Sequence, residues 1–132
     1  MYVLLVFVAV CIAGSVTVAE KCEPLTIPMC KDIGYTMAMF PNVLGHKKQD
    51  DASLEIHQFF PLLKMKCSPR LQELLCAFYA PKCDPEDPDA PVFLPSRQLC
   101  EEVQKGCESS LLKYGLSWPI DIPCDQLAGK FI

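Results

Sequence analysis

The placement of cysteine constrains this chain more than any other feature. There are nine among 132 residues. The first, Cys11, lies in MYVLLVFVAVCIAGSVTVA, residues 1–19, which has no charged side chain and is almost purely apolar from Val3 to Ala13. Small residues at Thr17 and Ala19 suit a cleavage before Glu20, so the segment reads as a secretory signal peptide, although its start lacks Lys or Arg. A retained membrane anchor is the alternative, and the short apolar run disfavours it. Cleavage would leave Cys22, Cys30, Cys67, Cys76, Cys83, Cys100, Cys107 and Cys124 in residues 20–132. An even count in an oxidising compartment predicts four disulfides, with the pairing left open by arithmetic alone. No metal is expected. There is no C-x-x-C pair, and His46 and His57 are not spaced as ligands with any cysteine.

Residues 20–132 suit one domain with a real core, supplemented rather than replaced by disulfides. The net charge of −4 and the lack of a basic cluster exclude nucleic acid as an expected partner. No second apolar run approaches membrane-spanning length.

Three helices are predicted. The first runs over about 52–66 behind the turn-rich FPNVLGHKKQDD, with Asp50 or Asp51 as its cap. Ala52, Ile56, Phe59 and Leu63 make a core-facing stripe, while Gln58, Pro61, Leu62 and Met65 make a second, mostly apolar face that a simple surface helix does not need. Pro61 should kink it. The second helix is expected over 69–79, with Ser68 capping and Pro69 in its first turn. The acidic, proline-rich DPEDPDAPVFLP, 84–95, is a stiff loop without the spacing of a calcium site. The third helix starts after Ser96 and ends near Tyr114 at Gly115, with Cys100, Val103, Cys107, Leu111 and Tyr114 facing inward. Cys100 and Cys107 lie two turns apart on one face and cannot bond each other.

The cysteine order and the text between resemble the Frizzled cysteine-rich domain. The segments are CEPLTIPMCKDIGY, PNVLGH, LEIHQFFPLLKMKCSP, LLCAFYAPKC, LCEEVQKGC and YGLSWP, in order over residues 20–132. The resemblance implies a mainly α, four-helix, disulfide-stapled fold with a short strand pair. Carried over by position, it implies the bonds Cys22–Cys83, Cys30–Cys76, Cys67–Cys107 and Cys100–Cys124. The family's fifth bond has neither half here: Ser96, in LPSR, stands at one cysteine position, and the other would lie past Ile132. This argues against accidental truncation of a ten-cysteine domain. LPSR with its upstream P-K-C also resembles the Smoothened branch. No glycosylation sequon exists, since Thr36 follows Tyr35 and the lone asparagine, Asn42, precedes Val-Leu.

The resemblance further implies a lipidated Wnt protein as partner, with its palmitoleate chain in an apolar groove and no other cofactor. The matching positions are Gln58, Phe59, Pro61, Leu62, Met65, Tyr114 and Leu116. Read alone, Phe59 and Tyr114 favour core packing, whereas Leu62 and Met65 are better groove candidates. A second family contact grips an apolar Wnt loop from around the second helix. Here those positions include Glu73 and Lys82 beside Phe78 and Tyr79, which weakens it, because charges resist desolvation against an apolar tip. The expectation is thus a secreted, extracellular Wnt-binding antagonist or carrier, with dimerisation through the groove a possibility. The alternatives are a fatty-acid or sterol carrier without a Wnt partner, and the ectodomain fragment of a Frizzled receptor. An enzyme is not expected, because neither histidine stands in a nucleophile–base arrangement and no cysteine is free.

Overall fold

The computed structural model describes residues 21–87, 89–119 and 121–127. The leader expected over residues 1–19 lies outside them. Strands β1 (Lys21–Pro24) and β2 (Met37–Phe40) pair antiparallel, with Cys22 opposite Met39 and Glu23 opposite Ala38. A third segment closes on β2, where Met39 N donates to Pro81 O at 2.9 Å and Cys83 N donates to Met37 O at 3.2 Å. Then come α1 (Gln49–Ile56), a 3-10 turn (His57–Phe59), α2 (Phe60–Met65), α3 (Leu71–Tyr79) and α4 (Arg97–Lys113). The fold is mainly helical, but α1 and α2 are one rod interrupted by the 3-10 turn. The described residues therefore form three helical rods, not the four expected. The irregular turn sits just ahead of Pro61, whose missing N–H cannot bond back to that turn.

Three helix starts were anticipated, and two shift. The first rod begins at Gln49, with Lys48 at its N-cap and Asp50 and Asp51 inside the first turn, where their charges suit the helix dipole. Gln49 is buried and anchors this end: its Oε1 accepts Thr26 N at 2.7 Å and its Nε2 donates to Pro24 O at 3.0 Å. The α3 helix starts at Leu71 rather than Pro69. Ser68 instead forms a preceding turn, with its Oγ accepting Arg70 N at 3.3 Å. Ser96 does cap α4, accepting Leu99 N at 3.1 Å.

One apolar core joins these rods. Ile27, Ala52, Ile56, Leu71, Leu74, Leu75, Tyr79, Cys100 and Val103 are all at most 1% exposed. Beside Gln49, the other buried polar side chain among the described residues is Asn42. The Asn42 Oδ1 accepts Leu44 N at 3.1 Å and His46 N at 2.9 Å, and its Nδ2 donates to Tyr79 O at 2.9 Å. The one asparagine thus folds the 40–49 loop onto the end of α3. Tyr35 does similar work, its hydroxyl donating to Ala80 O at 2.6 Å, and burial pushes that phenol up to about 12.

The structure joins Cys22 to Cys83, Cys30 to Cys76, Cys67 to Cys107 and Cys100 to Cys124, with Cα separations of 5.9, 5.6, 4.7 and 5.3 Å. The shortest separation belongs to the bond that ties the end of α2 to α4. Gly106 permits it: a Cβ there would stand 2.9 Å from the Cys67 carbonyl oxygen. Helix propensity alone predicts that Gly106→Ala stabilises α4 by about 1 kcal/mol. Overpacking against backbone costs about 1–3 kcal/mol. The expected result is a net loss of about 1 kcal/mol, seen as a lowered denaturant midpoint; a raised midpoint would mean that the Cys67 turn yields freely.

Candidate ligand-binding groove

The seven positions singled out for a groove lie together. Gln58, Phe59, Pro61, Leu62 and Met65 from the first rod face Tyr114 and Leu116 at the end of α4, around a groove of about 460 Å³. That volume falls in the usual range for small-molecule sites. No charged side chain lines it; Gln58, Ser117 and the Tyr114 hydroxyl bring its polar side-chain atoms. The rod's two apolar faces, set by residue spacing, are carried past the 3-10 turn at His57–Phe59. Phe59, 6% exposed, and Leu62, 9% exposed, lie toward the core as the groove floor, and Met65, 38% exposed, stays at the rim.

Tyr114 departs from expectation. It is 70% exposed, not part of the inward stripe. The helix ends at Lys113, Gly115 takes a φ of 71°, and Leu116 N donates to Leu111 O at 2.9 Å. That left-handed C-terminal closure breaks the helical periodicity that would have turned Tyr114 inward. The same closure swings Leu116 across the groove. Leu111, Ser117 and Pro119 also line it. Leu111 was legible only as a core residue, and LSWP carried no periodic signal. His57 does not line the groove; it is exposed and stacks on Phe60 at 6.2 Å.

The four residues of the doubtful second contact separate. Glu73 and Lys82 line a wide trough with Ile33, Tyr35, Arg70 and Phe93. Phe78 and Tyr79 are 3% and 0% exposed and face the core. The α3 helix buries Leu71, Leu74, Leu75, Phe78 and Tyr79, a single helical face, so the two aromatics have no surface to offer. The Tyr79 hydroxyl instead donates to Glu55 at 3.1 Å, and its ring meets Phe59 edge-on at 5.9 Å. Burial, then the Glu55 charge, raises its pKa above the usual phenol value. In the trough Arg70 donates to Glu73 twice at 3.1 Å and to Glu102 at 3.4 Å. The hydrogen bond to Glu73 leads in holding that guanidinium charged. The two charged residues thus lie in a trough whose walls include the apolar Val92, Phe93 and Leu94, while Phe78 and Tyr79 do not reach it. Among the described residues no group of His, Cys, Asp or Glu could hold a metal ion, and no helix is long and apolar enough to cross a membrane.

Comparisons with known proteins bear on what this groove is. The Fz domain pattern matches residues 22–130. Frizzled-1 of Xenopus laevis is 45% identical over 105 residues, covering 80% of this chain. The chain spans only 18% of that relative's length. Among solved structures, the Smoothened cysteine-rich domain superposes with a TM-score of 0.59 at 28% identity, covering 82% of this chain and 92% of that one. The xenopus Smoothened domain, solved in complex with cyclopamine, gives a TM-score of 0.58 at 26% identity, covering 80% and 94%.

Proposed function

The chain belongs to the Fz domain family, the Frizzled-type cysteine-rich domains, and from that premise we propose that it binds the acyl chain of a lipidated Wnt protein in the groove between its first helical rod and the end of α4. The family is one of ligand-binding domains, not enzymes, and in Frizzled it is extracellular. The observation that carries the reading is that the seven positions implied by the resemblance line one uncharged groove. An acyl chain gains about 0.8 kcal/mol for each methylene removed from water. A dry trough without a charged wall lets that gain stand. The palmitoleate chain is the proposed ligand, and no other cofactor is needed.

Residues 20–132 form the proposed binding domain, released by cleavage of the leader, and its proposed setting is extracellular. A soluble form would compete with a receptor for the same acyl chain. As the ectodomain of a receptor it would present the groove at the cell surface, and the groove could also be shared between two copies. The separation of Phe78 and Tyr79 from Glu73 and Lys82 supports a mode in which the groove dominates affinity. A second reading is a sterol or fatty-acid carrier with no Wnt partner. It is favoured by the likeness to a Smoothened domain solved with cyclopamine.

The test is binding of the purified chain to a Wnt protein with and without its acyl chain. Binding that needs the acyl chain is the expected outcome. Equal binding to both forms would overturn the groove mode. No binding to either, with free palmitoleate or a sterol taken up, would select the carrier reading.

A further inference from the structure

We propose that the mouth of the groove is also a docking surface for an anionic lipid bilayer. Residues 57–66 and 112–119 include all of the groove's lining except Leu111. Among the described residues nine large apolar side chains are exposed, and five belong to these two segments: Phe60, Met65, Leu112, Tyr114 and Leu116. Four of the five are 48–70% exposed, a concentration that marks an interaction surface.

The charges of these segments point to the partner. They contain Lys64, Lys66 and Lys113 and not one Asp or Glu, in a chain whose net charge is −4. The nearest carboxylates in sequence, Glu55, Glu108 and Asp121, fall outside both segments, so an anionic surface attracts these two segments more than the net-negative chain as a whole. The Lys64 ammonium stands 5.1 Å from the centre of the Phe60 ring, so cation and aromatic share one patch of surface. Aromatic and aliphatic tips interspersed with lysines suit a headgroup boundary. The rings enter the acyl edge, and the lysine stems lie along apolar surface with their charges at the phosphates. A purely apolar partner would leave the ammoniums facing oil, whereas an anionic bilayer accommodates both. The proposal rests on the groove reading for its use only: an acyl chain could pass between bilayer and groove without crossing water.

The experiment is co-sedimentation of the chain with phosphatidylcholine–phosphatidylserine vesicles and with phosphatidylcholine vesicles, alongside binding of an acylated Wnt. Partition onto the anionic vesicles is expected, falling as salt rises. Lys64→Gln with Lys113→Gln should weaken that partition about 25-fold, about fivefold for each lysine near an anionic surface. Neither lysine lines the groove, so binding of the acylated Wnt should be unchanged. Vesicle binding without Wnt binding would uphold the docking surface while overturning the Wnt reading of the groove. Equal partition onto both vesicle types, or an unaffected double variant, would overturn the docking surface. So would a chain that self-associates through this face and ignores vesicles.

Discussion

Met65→Glu is expected to abolish binding of an acylated ligand while leaving the domain folded. Met65 sits on the groove rim at 38% exposure, at the end of α2, with solvent on its outer side. A carboxylate there can hydrate in the free protein, so the fold loses little. An acyl chain entering the groove would strip that water, and a charge desolvated without a partner is expensive. The expected loss is about a hundredfold or more in affinity, equivalent to about 3 kcal/mol. Met65→Leu, which keeps volume and apolarity, should bind within about threefold of the parent chain, because volume-conserving apolar exchanges are tolerated. Circular dichroism with titration against an acylated Wnt reads both. A folded Met65→Glu variant with undiminished affinity would remove the groove as the ligand site. Leu62→Glu is not an equivalent test. Leu62 is 9% exposed and packs in the core, so a carboxylate there should unfold the domain before its effect on binding can be read.

The second large effect is on stability. Replacing Cys67 and Cys107 together by alanine should cost about 4 kcal/mol, the chain-entropy value for a sequence separation of 40. That is a large fraction of the roughly 5–15 kcal/mol that holds a domain together. The bond joins the residues just past α2 to α4, the two walls of the groove. The double variant should therefore lose acyl-chain affinity along with stability. The Cys22–Cys83 bond closes a loop with a separation of 61, and replacing both cysteines should cost a similar amount. That bond lies beside the strands, so affinity in the remaining folded fraction should be kept. Denaturant unfolding and ligand titration of the two variants separate the cases. Equal loss of affinity in both would show that the groove depends on global stability alone.

The contrast between Met65 and Tyr114 shows how far the sequence could be read. Both were groove positions by resemblance. For Met65 the local pattern agreed, since the extra apolar face at Gln58, Pro61, Leu62 and Met65 is a property of helical spacing. For Tyr114 the local pattern misled, because it continued the stripe of Cys100, Val103, Cys107 and Leu111. Periodicity holds only while the helix lasts, and the helix stops one residue earlier. Phe78 and Tyr79 failed in a different way. Spacing gives the width of a helix's apolar face but not how much of it neighbours will cover. The first rod and the 40–49 loop close over Tyr79, with Asn42 bonded to its carbonyl and Glu55 to its hydroxyl, and Phe78 is buried in the core beside it.

The sequence by itself determined the elements: cysteines in number and order, caps such as Ser96, stops such as Gly115, and an apolar surplus on the rod at 52–66. These are local properties, set by side-chain chemistry and backbone preference within a few residues. Only the tertiary structure decided which apolar residues are floor, rim or core. It also decided that a Cβ on Gly106 would crowd the Cys67 carbonyl and that two distant segments line one groove. Those outcomes depend on contacts between residues far apart in sequence, such as Cys67 with Cys107, 40 positions apart. Periodicity along one element carries no information about what packs against it.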